Sequence, residues 1–86
     1  MKTIDLVIRD KEGLHARPAG VFNKAAKSFA SKITMCKDGK TADMKKIFGM
    51  MGLAIKCGDT VTVTCEGSDE DAAIAELERI FHEMNI

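Results

Sequence analysis

The sequence predicts an α+β domain of two layers, a sheet covered on one face by helices, in the element order βαββαβα. Three observations predict it. Short segments at residues 3–9, 32–37 and 60–66 alternate apolar and polar side chains, as strands buried on one face do. Two longer segments, after His15 and after Gly67, repeat apolar residues at helical spacing and so carry one buried stripe each. Between the second and third strands, Asp38-Gly39 is a compact hairpin signal.

The first strand is expected over Thr3 to Arg9, with Ile4, Leu6 and Ile8 inward. A helix should follow from Ala16 to about Phe29. There Phe22, Ala26 and Phe29 recur at i, i+4 and i+7, and Lys24 and Lys27 lie off the stripe. Lys32 to Lys37 places Ile33 and Met35 inward, and a short third strand covers Lys40 to Ala42. Asp43 is expected to cap a short helix through Lys45 to Met51. Gly49 and Gly52 each weaken that helix by about 1 kcal/mol relative to alanine, so it depends on packing. Gly58-Asp59 is a turn before the last strand, Thr60 to Glu66, which points Val61, Val63 and Cys65 to the core. Ser68 or Asp69 should cap the final helix, whose stripe is Ile74, Leu77, Ile80, Phe81 and Met84. Asp69, Glu70 and Asp71 sit favourably at its positive end. No linker or repeat interrupts residues 1–86, so one domain is expected.

A chain of this length buries roughly 60 to 65% of its unfolded surface, enough for a core without metal or disulfide. Cys36, Cys57 and Cys65 are odd in number and lack ligand spacing, so reduced thiols are expected, with Cys65 in the core and Cys57 in a loop. No metal or cofactor is expected. No apolar run approaches the roughly 20 residues of a membrane span, and MKTIDLVIRD lacks a signal-peptide core, which predicts a cytoplasmic protein without membrane insertion.

Thirteen basic and thirteen acidic residues give zero net charge, which argues against nucleic acid as the main partner. The charge is nonetheless segregated. Residues 1–56 carry twelve basic and five acidic side chains, a balance of +7, and residues 57–86 carry −7. Two readings stand: solvated faces that happen to differ, or a basic surface of Arg17, Lys24, Lys27, Lys45 and Lys46 that steers acidic partner proteins.

The segment EGLHARPAG, Glu12 to Gly20, carries the chemistry. Gly13 takes positive φ readily, so the chain can bend after the first strand and deliver His15 to a helix mouth. Pro18 suits a first helical turn, which places the helix start at Ala16. The N–H groups of Ala16 and Arg17 then lie free at the positive end of the helix, where an anion is stabilised. Arg17 adds a planar fork that can hold two phosphate oxygens. Such a site suits a histidine that takes up and surrenders a phosphoryl group. Glu12 either accepts from Nε2–H and orients the ring or is a solvated loop acid. His82, near the end of the last helix, has no such surroundings and is assigned no role.

GLHARPA resembles the active-site signature of HPr, the histidine-containing phosphocarrier family of the bacterial phosphoenolpyruvate-dependent sugar phosphotransferase system. KKIFGMMGLAIKCGDTVTVTCEG, Lys45 to Gly67, is similar to that family's second helix, following loop and last strand, and the length fits one whole domain. The resemblance implies an open-faced sandwich of four antiparallel strands in the order 1-4-2-3, with three helices on one side. It implies a monomeric transfer protein rather than a free-standing enzyme. His15 would accept phosphate on Nδ1 from phosphoenzyme I and pass it to sugar-specific EIIA proteins, Arg17 and Ala16 holding the phosphate. The docking surface would comprise Ile47, Phe48 and Met51 with Gly20, where relatives often carry alanine or threonine, and the surrounding lysines. The resemblance also implies alternatives: a nitrogen-branch carrier, or a non-transferring regulatory module, a type that can lose the histidine this chain keeps. Where many relatives carry a kinase-regulated serine, this chain has Lys46, so that switch should be absent.

Overall fold

The computed structural model describes residues 1–86. The elements are β1 (Lys2–Val7), α1 (Ala16–Lys27), β2 (Lys32–Lys37), β3 (Lys40–Asp43), α2 (Ile47–Met51), β4 (Thr60–Glu66) and α3 (Glu70–Glu83). The sheet order is β1-β4-β2-β3 with every neighbouring pair antiparallel, as the family resemblance implies. Register makes the two faces chemically distinct. Leu6 faces Val61, Ile4 and Met35 flank Val63, and Ile33 faces Cys65, so the centre of one face is apolar. The opposite face carries Thr3, Thr64 and Thr34 in one row, and Asp5 accepts a hydrogen bond from the Thr62 hydroxyl at 2.7 Å in the next. Phe22, Ala26, Met50, Ala73 and Leu77 bury against the apolar face and complete a core of 21 residues.

Element boundaries shift where local hydrogen bonds compete with the expected pattern. β1 ends at Val7 rather than Arg9. Ile8 still buries, but its N–H donates to the Asp59 carbonyl and the chain leaves the sheet. α1 ends at Lys27 rather than near Phe29, because the Ser28 hydroxyl and N–H both turn back to the Ala25 carbonyl. β3 runs one residue further than expected, to Asp43.

Asp43 does not cap α2. Its carboxylate accepts from the Lys45 N–H at 2.9 Å and its carbonyl from the Lys46 N–H at 3.0 Å, closing a turn that delays the helix to Ile47 with Lys46 as N-cap. Asp69 occupies the N-cap position of α3 but sends its side chain elsewhere. The carboxylate accepts from the Ala30 N–H at 2.8 Å, the Ser31 N–H at 2.9 Å and the Ser31 hydroxyl. These bonds, the Ser31 hydroxyl foremost, hold the Asp69 carboxyl below its ordinary range. α3 has no side-chain cap, and Glu70 instead ties back the preceding turn by accepting from the Gly67 N–H at 3.2 Å.

Candidate functional site

Residues 10–15 form the site's frame. The Asp10 carbonyl accepts from the Gly13 N–H at 2.9 Å, and the Asp10 carboxylate accepts from the Glu12 N–H at 2.9 Å, so the turn is closed twice. Gly13 has φ +68, and a Cβ there would lie 2.2 Å from the Ile55 carbonyl oxygen. Glycine is therefore required by contact as well as by conformation. The next N–H, of Leu14, donates to that same Ile55 carbonyl at 3.1 Å, and the Leu14 side chain is buried. The turn is thus fastened to the loop that follows α2.

His15 is the N-cap of α1, with extended backbone at φ −88 and ψ −175, and its carbonyl accepts the first helical bond from the Ala19 N–H at 3.1 Å. The imidazole makes no capping hydrogen bond and stays one-third exposed. Its Nε2 lies 3.7 Å from Asp10 Oδ2 and 3.5 Å from Glu12 Oε2. Pro18 is buried in the first turn, and Ala16 and Arg17 are exposed beside the ring. An open depression of about 340 Å³ gathers Asp10, His15, Arg17 and Pro18 with Glu83 and Met84 from the end of α3.

The chemistry follows from which nitrogen faces what. Two carboxylates within 4 Å make Nε2 a poor place for an anion and a good place for a proton. Nδ1 is left as the nitrogen that can take an electrophile. The first-turn N–H groups of α1 have no partner within the helix, and they and the exposed Arg17 directly follow His15 in the chain. Glu12 is three-quarters exposed, so it behaves as a solvated acid that also leans on the ring. Donor atoms of Asp10, Glu12 and His15 all lie within 4.8 Å of one another, two carboxylates gathered on one ring nitrogen.

The docking residues divide. A Cβ added at Gly20 would meet Ile47 Cδ1 at 3.8 Å, so α1 and α2 lie side by side there. The buried Asn23 fixes that arrangement by donating to the Met44 carbonyl at 3.0 Å. Met50 is wholly buried and Ile47 half-buried, whereas Phe48 is 85% and Met51 39% exposed. Lys27 and Lys46 are exposed. Lys24 lines a groove with Val21 and Ala25 of α1 and Ile80 of α3. Lys45 is tied down, its ammonium donating to the Phe29 carbonyl at 2.9 Å. Cys65 is buried, which pushes its thiol up, Cys57 is exposed and Cys36 half-buried. His82 stands exposed on α3, edge-on to Phe81.

Asp10, Glu83, Met84 and Ile86 are the members of the site that the sequence did not disclose. Asp10 had a weak signal, an Asp opening a turn that ends in glycine. Glu83 had none, since its proximity arises from the packing of α3 against the sheet.

Fold and site define a class: a small open-faced α+β sandwich that presents one histidine at the N-terminus of a helix beside an arginine. The family model described as "PTS HPr component phosphorylation site" matches residues 2–83. The phosphocarrier protein HPr of Lysinibacillus sphaericus is 42% identical over 86 residues, covering 100% of this chain and 98% of that protein. The HPr-like protein Crh of Halalkalibacterium halodurans is 46% identical over 70 residues, 81% of this chain and 83% of that one. The solved histidine-containing phosphocarrier protein of Mycoplasma superposes with a TM-score of 0.94 at 37% identity, covering 96% of this chain and 94% of its own. The chain belongs to the HPr family of phosphocarrier proteins of the phosphotransferase system.

Proposed function

We propose that the protein accepts a phosphoryl group on His15 Nδ1 from phosphorylated enzyme I, itself charged by phosphoenolpyruvate, and passes it to sugar-specific EIIA proteins. The observation that carries this reading is the His15 imidazole at the mouth of α1, its Nε2 turned to Asp10 and Glu12 and its Nδ1 left for the electrophile. Loading forms the Nδ1–P bond as the donor's bond to phosphorus breaks, the donor keeping that electron pair. Delivery reverses the roles. Such transfer asks for positioning and charge stabilisation, which Arg17 and the N–H groups of Ala16 and Arg17 supply. Partners would dock on Phe48, Met51 and the exposed edge of Ile47, rimmed by Lys27 and Lys46, with the domain acting as a monomer. No helix is long and apolar enough to cross a membrane, which fits a carrier that visits several proteins in the cytoplasm.

A second reading is favoured by the 46% identity to the HPr-like protein Crh: a regulatory module that touches partners without carrying phosphate. His15 and Arg17, both present and set beside one depression, weigh for the carrier. Incubation with enzyme I and phosphoenolpyruvate, followed by intact mass, separates the two. A single acid-labile phosphoryl group, lost in His15→Ala, is expected; an unlabelled wild-type protein would leave the regulatory reading.

A further inference from the structure

We propose that Asp10 and Glu12 form a counter-ion pair for the Nε2–H of phosphorylated His15, and that this pair sets how readily the phosphoryl group leaves. The inference rests on the phosphohistidine reading above. Asp10 is aimed by the turn: one carboxylate oxygen accepts from the Glu12 N–H at 2.9 Å, and the other lies 3.7 Å from His15 Nε2. Glu12 Oε2 approaches the same nitrogen at 3.5 Å from a freely solvated side chain. From α1 the facing charge is Arg17, and from α3 it is Glu83, both lining the depression beside the ring. Glu83 is already paired with the Arg79 guanidinium, and the Ile86 main-chain oxygen in the same depression accepts from the Asp10 N–H at 2.8 Å, so Asp10 and Glu12 are the two carboxylates set against Nε2.

Once phosphorus occupies Nδ1, Nε2 is the ring's remaining site for a proton. When the N–P bond breaks, its electron pair stays on Nδ1. With Nε2 protonated, the departing group is a neutral imidazole that keeps its Nε2–H. Without that proton it would be an imidazolate anion, a far poorer leaving group. Carboxylates within 4 Å favour the protonated, cationic ring and so hold the carrier in its transferable form toward neutral pH. The proton is retained through the transfer rather than consumed.

The test is the pH dependence of phosphoryl loss to water. Wild type, Asp10→Asn, Glu12→Gln and the double variant are loaded with enzyme I and phosphoenolpyruvate, freed of both, and followed by phosphorus NMR between pH 5 and 10. Asparagine keeps the oxygen that closes the turn and Glu12 is 74% exposed, so neither change disturbs the fold. Loss from the wild type is expected to quicken as the ring protonates. In the double variant the midpoint moves to lower pH by about half a unit, the size of an exposed ion-pair effect, so the phosphohistidine lives about threefold longer above it. The single variants shift it partway, and the charge-preserving Glu12→Asp stays near wild type. An unmoved midpoint in the double variant, or one moved to higher pH, overturns the inference and leaves the carrier standing. A wild type that takes no phosphoryl group overturns the carrier reading and this inference with it.

Discussion

At the scale of single residues, reactivity at His15 is a matter of what its neighbours leave free. Gly13 permits the close pass against Ile55, Leu14 anchors the turn, and Asp10 and Glu12 claim one ring nitrogen. The histidine, the arginine and the helix start were legible in the motif because each is a local rule: a glycine bend, a proline in a first turn, a charged fork. Asp10 was not, because its role depends on the turn's conformation and on the ring's orientation. A different residue carries visible strain. Ala54 has φ 53, a left-handed conformation that costs an L-residue about 1–2 kcal/mol. Its N–H donates to the Met51 carbonyl and its own carbonyl accepts from the Lys37 ammonium, and these contacts hold it there. Ala54→Gly is therefore expected to stabilise the domain by about 0.5–1 kcal/mol after the glycine's greater freedom in the unfolded chain is set against the relief. Urea unfolding measures it, and a destabilised variant would contradict the account.

At the scale of elements, periodicity identified five of the seven, the hairpin signal gave β3 and the expected cap gave α2, and the bounds of β2 and β4 agree residue for residue. Errors gathered at ends, where Asp and Ser side chains choose between neighbouring backbone groups. Asp43 makes a turn rather than a cap, and Asp69 leaves its own helix to hold the α1–β2 junction. Such long-range choices leave no pattern in sequence; residues 30 and 69 are joined only by the fold. Asp69 also gives the fold a pH dependence. Its carboxyl is lowered in the folded state, chiefly by the Ser31 hydroxyl and then by the Ala30 N–H, so its contribution is present above the unfolded value and lost as pH falls through the folded one. Asp59, lowered by the Lys37 ammonium and the Lys56 N–H, acts in the same direction. Below about pH 4 the wild type should lose melting temperature steadily. Asp69→Asn should be less stable at pH 7 and show a shallower acid slope in calorimetry from pH 5 to pH 2. An identical slope in both proteins would count against Asp69 as an acid-sensitive tie.

At the scale of the whole molecule, the open-faced sandwich separates support from function. The sheet and α3 make the back, and α1 and α2 meet at one edge, where the His15 ring, Arg17 and Phe48 stand at the surface. The sequence's charge division maps onto this only partly. Lys27 and Lys46 are exposed, Lys27 at the end of α1 remote from the ring, but Lys45 is spent on the Phe29 carbonyl and Lys24 lines a groove shared with Ile80 of α3. Strand order was implied by resemblance alone, since alternation within strands carries no information about which strands pair. The central claim is that the His15 ring takes phosphorus on the nitrogen its carboxylates leave free. Nitrogen-15 NMR of the imidazole after loading with enzyme I and phosphoenolpyruvate tests it most directly. Phosphorus coupled to Nδ1 with a proton on Nε2 is the expected result; phosphorus on Nε2, or on any residue other than His15, would overturn the assignment.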